Sequence, residues 1–315
     1  MRDYPIIDLC LDMPMQADEC VQMLTNMCLD PNYRGYKTAY APGIAEQIGL
    51  NIDDLDRILE TEGEDAWKKT VEDAAKKNAM TPDKFVEYLD SINVAWGITC
   101  DSRHDNKKTA EIVHAHPDRF KGFIFVDPNK GMEAVRELEK CVKDYGLHAL
   151  YLTAFRTHLA ANDKKNYPLY AKACELGIPV HIYSSLNLSK AVPYDIGHPR
   201  YIDEVARDFP ELKIMAGVSG WPWVLDFIAL AYRHQNVYLN FETHEPRKMN
   251  MRGSGYEPYL FYAETQLKDR LCFASNWTTQ SISVDDLAKQ VEDLPLQKDT
   301  IKRILYTNAA EFYKD

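Results

Sequence analysis

Two polar groups close the first apolar run of the chain. Within PIIDLCLD (5–12), Cys10 and Asp12 lie two residues apart, so on an extended strand both face the same side. A thiol there can attack a carbonyl if a neighbouring base or cation lowers its pKa, and a carboxylate can act as a base or polar anchor. His181, two residues before Tyr183, is the candidate base for such a thiol. Glu242 and His244 follow another apolar run, where a Glu/His pair could do acid–base work. Arg156 is a planar fork suited to a carboxylate or phosphate, with His158 beside it. Arg103 and His104 form a similar, weaker pair, and Trp221, Trp223 and Trp277 could wall an aromatic pocket. Each has a plainer alternative. Cysteines mostly pack, charged loop pairs are mostly solvated, and Trp221 and Trp223, close behind Gly220, could be structural plugs.

Eight short apolar or β-branched runs carry these groups at their ends: Ile6–Cys10, Ile92–Thr99, Phe123–Val126, Ala149–Thr153, Pro179–Tyr183, Lys213–Val218, Val237–Phe241 and Leu271–Ser275. Helical spacing recurs between them, as in Val135, Leu138, Val142 and Tyr145, and in Ile202, Val205, Ala206 and Phe209. Gly146 and Gly177 stand where a helix should end in a left-handed residue. Eight strands alternating with helices predict an α/β fold, a (β/α)₈ TIM barrel, with the candidate groups at its C-terminal mouth. A doubly wound sheet is the alternative, but no glycine-rich phosphate loop follows any strand; Arg252-Gly253-Ser254-Gly255 lacks a third glycine. The whole chain, 1–315, reads as one barrel domain. Residues 13–91 form an insertion after the first strand: an irregular stretch with Pro14, Pro31, Pro42, Tyr33, Tyr36 and Tyr40, then a charged helical stretch over 51–79. This insertion is expected to serve as a lid or a subunit contact.

Composition removes other classes. The 315 residues carry 37 Lys+Arg against 48 Asp+Glu, a net charge of −11, which argues against nucleic acid and against an anionic membrane surface. The first residues, MRDYPIIDLCLD, show no secretory pattern. The most apolar stretch, 213–232, contains Gly217, Gly220, Pro222 and Asp226 and does not read as a membrane span. Seven scattered cysteines with no CxxC pair suggest reduced thiols and a cytoplasmic setting.

Taken with PIIDLCLD (5–12), the segments AHPDRFKGFIFVDP (115–128), YPLYAKACELGIPVHIYSS (167–185), HPRYIDEVARDFPELKIMAGVSGWPW (198–223), NVYLNF (236–241), LCFASNW (271–277) and NAAEFY (308–313) resemble the amidohydrolase superfamily, in its amidohydrolase-2 branch. That branch includes aminocarboxymuconate-semialdehyde decarboxylase-like enzymes and hydrolases. The resemblance implies a TIM barrel, frequent dimerisation, substrate-binding groups after the fourth strand (Arg156, His158), and a metal site at five positions. Here those positions hold Cys10, Asp12, Tyr183, Val218 and Asn276 in place of the expected His, His, His, His and Asp. Valine has no lone pair to donate, and asparagine offers only a neutral amide where the family mechanism uses a proton-accepting aspartate. Two remaining ligands, Cys10 and Asp12, do not make a closed zinc site.

The expectation is therefore no cofactor, with zinc as the minor alternative. The function expected is a metal-independent hydrolase, or a lyase of the decarboxylase kind, acting on a small carboxylated cyclic or aromatic substrate. Cys10, Asp12, Tyr183, Asn276 and His181 are its candidate catalytic residues, and Arg156, His158, Glu242, His244 and Trp277 its candidate binding residues. The alternative is a non-catalytic relative that binds a ligand or partner subunit. Only Asp12 among the five substituted positions is charged, so the site is expected to be nearly stripped of the charges its relatives use.

Overall fold

The computed structural model describes residues 2–78 and 80–314. Strand β1 (Ile6–Asp8) is followed by helices α1 (Ala17–Leu29), α2 (Arg34–Gln47), α3 (Ile52–Glu62), α4 (Glu64–Asn78) and α5 (Pro82–Ser91). Strands and helices then alternate: β2 (Val94–Thr99), α6 (Asn106–Ala115), β3 (Phe120–Ile124), α7 (Met132–Lys143), β4 (Ala149–Thr153), α8 (Ala154–Thr157), α9 (Tyr167–Leu176), β5 (Val180–Tyr183), α10 (Arg200–Asp208), β6 (Ile214–Gly217), α11 (Val224–Arg233), β7 (Val237–Asn240), α12 (Pro258–Ala263) and β8 (Leu271–Cys272). Four short helices close the chain: α13 (Trp277–Gln280), α14 (Val284–Glu292), α15 (Lys298–Lys302) and α16 (Asn308–Phe312).

The eight strands pair in sequence order, all in parallel. The Leu9 amide donates to the Phe273 carbonyl at 3.1 Å and the Asn276 amide to the Cys10 carbonyl at 2.8 Å, which joins the first strand to the last. The architecture is the expected (β/α)₈ barrel. β1 and β8 are shorter than their apolar runs; just beyond them the Asp8 carboxylate accepts the backbone N–H groups of Cys10 and Ser275. β3 starts earlier than expected, at Phe120, since Gly97–Thr99 register against Phe120–Gly122. Lys121 fits there by lying over the rings of Trp96 and Tyr313.

Amphipathic helices cover the sheet as their periodicity requires. α7 buries Val135 and Leu138, and α10 buries Ile202, Val205 and Ala206, in the layer between helices and strands. Gly146 and Gly177 are both left-handed, at φ 64° and 67°, and the Gly177 N–H caps carbonyls at the end of α9. A second apolar layer fills the barrel itself, with Ile7, Ile98, Phe123, Met215, Cys272 and Phe312 among its members. Phe312 and Tyr313 plug the N-terminal end.

Residues 13–91 divide differently from the expected single insertion. α1 to α4 share a separate core around Leu24, Ile44, Trp67 and Val71. α5 instead buries Phe85 and Leu89 in the barrel layer and belongs to the barrel. The expected irregular stretch is largely helical: Pro31 opens a short 3₁₀ turn, and Pro42 lies inside α2 on its exposed side, where loss of one N–H is tolerated. The charged stretch 51–79 is helical through Asn78, with residue 79 outside the described residues; its charges pair on solvated faces, as in Glu64–Lys68 and Glu72–Lys76. α2 lies against the C-terminal mouth, where Gln47 donates to the Thr278 carbonyl (2.7 Å) and to Ser281 Oγ (3.0 Å). The Lys190 amide donates to the Asn32 carbonyl (3.2 Å), and Asp18 of α1 pairs with Arg103.

Because the α1–α4 core is separate, Trp67→Ala should remove about 3–5 kcal/mol from that unit alone. Hydrogen exchange read peptide by peptide checks this: amides of α1–α4 should exchange faster while those of β4–β7 keep their wild-type protection.

Candidate active site

The C-terminal mouth is built around Glu242, which follows β7 and points into the barrel with 1% of its surface exposed. Its Oε1 accepts the Tyr151 hydroxyl at 3.0 Å and its Oε2 accepts the Asn240 side-chain amide at 3.1 Å. The Cys10 thiol also donates to it. Strand geometry supplies this set: Asn240 and Glu242 share the inward face, and Tyr151 is the inward residue of β4. The carboxylate needs Gly217 beside it, because a Cβ there would stand 3.2 Å from Glu242 Oε1. Burial without a cation raises the Glu242 pKa to about 7, against the pull of its three donors.

Two more carboxylates flank Cys10. Asp8 is fully buried, accepts the N–H groups of Ser275 (2.8 Å) and Cys10 (3.1 Å), and is raised to about 6 by burial. Asp12 accepts the Thr278 hydroxyl at 2.5 Å and is likewise raised to about 6, first by burial and then by Asp8. Burial and the charges of Glu242, Asp12 and Asp8 together push the Cys10 thiol well above its ordinary value. Cys10 therefore keeps its proton and donates a hydrogen bond to Glu242; it is not the activated nucleophile that its position suggested.

The proposed Cys10–His181 pair does not form. His181 lies two residues below Tyr183, roughly 6–7 Å nearer the barrel floor by strand rise. There its Nε2 meets the Tyr313 hydroxyl at 2.7 Å and its ring packs against Phe123, and burial lowers its pKa to about 3. Glu242 and His244 also separate. His244 turns outward, with Nδ1 2.9 Å from the Tyr256 hydroxyl and its ring over Gly220, and burial lowers its pKa to about 3. Tyr183 is at the mouth, hydrogen-bonded with Tyr36 of α2 and with Ser185. Asn276 donates from its side-chain amide to Thr243 Oγ1 at 2.8 Å.

Of the candidate binding groups, Arg156 stands at the rim on α8, its Nη1 3.1 Å from His104 Nε2, with Cys100 and Tyr33 of the α2 side nearby. Among the described residues no carboxylate lies within ion-pair distance of it. The His104 ring rests on Phe125, with centroids 3.9 Å apart. His158 is exposed and caps α8 in the left-handed conformation. Trp277 stacks on Phe85 and donates from Nε1 to the Asp12 carbonyl at 2.8 Å, so it anchors the β1 loop instead of walling a pocket. Trp223 packs into the helix layer against His198, and Trp221 is largely exposed. Tyr151, Asn240, Asp8 and Tyr36 were not among the candidates. The signal for one of them was available: Asn240 stands two residues before the candidate Glu242 at a strand end, with both side chains on one face.

The amidohydrolase family model matches residues 71–314, so the chain belongs to the amidohydrolase family. Among solved structures, an uncharacterised TIM-barrel protein from Bordetella bronchiseptica superposes with a TM-score of 0.69 at 21% identity, over 98% of each chain. The 5-carboxyvanillate decarboxylase of Novosphingobium aromaticivorans, solved with manganese and 4-hydroxy-3-methoxy-5-nitrobenzoic acid, gives 0.63 at 15% identity over 99% of this chain and 97% of its own. A probable 2-pyrone-4,6-dicarboxylic acid hydrolase from Acinetobacter baumannii gives 0.56 at 18% identity over 75% and 89%. These likenesses show the barrel fold. No curated protein matches the chain.

The family's metal does not fit the residues present. Val218 offers no lone pair, and Asn276 turns an N–H donor toward Thr243. Tyr183 keeps its phenol proton, its pKa raised by burial, and Asp12 is engaged by Thr278. Among the described residues no group of three or more His, Cys, Asp or Glu side chains is placed to hold a metal ion. Of the five family positions only Asp12 is a carboxylate; Glu242 and Asp8, off those positions, supply the other carboxylates of the mouth.

The raised carboxylate pKa values set a pH dependence of stability. A carboxyl raised from 4.5 unfolded to about 7 folded holds its proton longer in the native state, so its contribution is full below pH 4.5 and is lost as pH rises through 7. Asp8 and Asp12 act alike between 3.8 and about 6. Denaturant melts should show stability falling between pH 5 and pH 8. Glu242→Gln should flatten the upper part of that fall and gain on the order of 2–3 kcal/mol at pH 8.

Proposed function

We propose that this amidohydrolase-family barrel is a metal-independent hydrolase or carbon–carbon lyase acting on a small carboxylated cyclic or aromatic substrate, with Glu242 as its proton-transfer group. The observation that carries the reading is a buried carboxylate with a pKa of about 7, held by Tyr151, Asn240 and Cys10 at the barrel mouth. A group poised near neutral pH is populated in both protonation states, as general acid–base catalysis needs. The substrate class is supported by the guanidinium of Arg156 at the rim, which has no carboxylate partner among the described residues, by the tyrosines Tyr151, Tyr183 and Tyr36, and by the activities named for the two enzymes among the fold's solved relatives.

Either reaction balances on Glu242. In hydrolysis its carboxylate takes a proton from water as the oxygen adds to the carbonyl, and returns that proton to the departing oxygen. In decarboxylation the bond to the carboxylate breaks, its electron pair stays on the ring carbon, carbon dioxide leaves, and protonated Glu242 delivers the proton to that carbon. Arg156 docks a carboxylate that is retained. Cys10 and Tyr151 hold Glu242 by donating hydrogen bonds to it while keeping their own protons, and Asp12 fixes the loop that carries Cys10. The same reading includes a homodimer, the habit of the relatives that the sequence resembles, and a reducing cytoplasmic setting, supported by seven free thiols.

A panel of lactones, thioesters and hydroxylated aromatic acids, assayed with and without chelator, tests the proposal. Turnover should survive chelation and should fall roughly 10²–10⁴-fold in Glu242→Gln, with Tyr151→Phe shifting the pH profile. Arg156→Ala should raise KM. Loss of turnover on chelation, or full turnover in Glu242→Gln, overturns it. Ligand binding by calorimetry with no turnover of any bound member favours the non-catalytic alternative.

A further inference from the structure

Helices α1 to α4 do not merely sit beside the mouth. Their apolar core is shared among themselves, and their contacts with the barrel include polar and glycine-based ones. Gln47 reaches Thr278 and Ser281, Asp18 reaches Arg103, and the Tyr36 hydroxyl meets Tyr183. Gly35 packs on Leu188, and Gly43 packs on Ser281 so closely that a Cβ would overlap it. Tyr33, Tyr36 and Tyr40 form a tilted ring ladder along this face, with centroids 5.6 and 6.1 Å apart. Beneath them Cys10, Cys100, Tyr151 and Tyr183 are half-buried, next to the fully covered Glu242.

We propose that α1–α4 is a rigid lid that lifts off the barrel mouth as one body, and that Tyr36 is the lid residue that meets the bound molecule when it closes. The lid keeps its own core on lifting and exchanges only a few hydrogen bonds, each of small net worth in water, for solvent. Opening is therefore far easier than unfolding. The closed position joins Tyr36 to Tyr183 above Glu242, so a substrate enters only with the lid raised. Lid movement itself does not depend on which reaction the site performs.

Thiols report the motion without a substrate. A bulky maleimide applied to the native protein, followed by peptide mass mapping, should label Cys100 at least about tenfold faster than Cys272, which lies in the barrel interior and is exposed only by barrel unfolding. Gly43→Ala adds a methyl against Ser281 while favouring helix in α2. It should speed Cys100 labelling several-fold and leave Cys272, and Cys20 within the lid core, no faster than before. Gly43→Ala with Ser281→Gly removes the overlap and should return Cys100 to its wild-type rate. Gln47→Ala, which deletes the contacts to Thr278 and Ser281, should speed Cys100 in the same selective way and serves if Gly43→Ala fails to fold. Equal labelling of Cys100 and Cys272 in the wild type, or variants that accelerate all cysteines together, overturns the proposal.

Discussion

A carboxylate buried without a cation is the constraint that organises this mouth. Charge in a low-dielectric interior is costly, and proteins meet the cost by pairing, by hydrogen bonding, or by holding the proton. Glu242 uses the last two. Its oxygens are occupied by the neutral donors Tyr151, Asn240 and Cys10, and its pKa moves into the neutral range. The neighbours follow from that choice. A Cβ at position 217 would stand only 3.2 Å from the carboxylate, and Asn240 is held in turn by the Val218 amide, which donates to its Oδ1 at 3.0 Å. Cys10, surrounded by three carboxylates, keeps its proton and so can donate a hydrogen bond.

The loops that carry these groups hold unusual backbone. His104, His158, Val218, Thr243 and Asn276 follow strands β2, β4, β6, β7 and β8, and all have positive φ, from 44° to 67°. Such conformations cost on the order of 1–3 kcal/mol each and persist only when neighbours over-determine them; for a β-branched residue such as Val218 the conformation is a true outlier. The neighbours here are visible: Val218 is pinned through Asn240, and Asn276 through the Cys10 carbonyl and Thr243. At Val218 and Asn276, two of the positions where the resemblance places metal ligands, hydrogen bonds within the chain hold these turns.

The barrel was legible in the sequence because its signal is periodic and local. Alternating apolar runs, amphipathic helices at 3.6-residue spacing and terminal glycines each state their own conformation. Strand ends were less legible: nothing local says that the Asp8 side chain will accept two backbone amides, one from the far end of the chain. The site was half legible. Cys10, Asp12, Tyr183, Asn276 and Glu242 were identified by position at strand ends, but strand parity alone gives no depth, and His181 fell one layer too low to serve Cys10. Tyr151 was missed because an inward tyrosine in a strand reads as packing until its partner, 91 residues away, is known. In the stretch after β1, prolines suggested irregular chain where α2 carries Pro42 on its outer face, since exposure is a property of the packed helix and not of the sequence around it.

Depth of burial links the carboxylate to the helices above it. The pKa of Glu242 owes its rise first to exclusion of water, so whatever covers the mouth also sets the strength of the acid beneath. Solvent reaching Glu242 would lower that pKa toward the ordinary range and weaken every hydrogen bond the group makes. The polar contacts of α2 with the rim and the tyrosines it turns inward are thus part of the electrostatics of the site. A separate apolar core in α1–α4 lets the cover stay folded whether or not it touches the barrel. The proton affinity of the site is consequently set by how dry the barrel mouth is kept around Glu242, while the helical unit stands as a second body at the rim, where Tyr36 meets Tyr183.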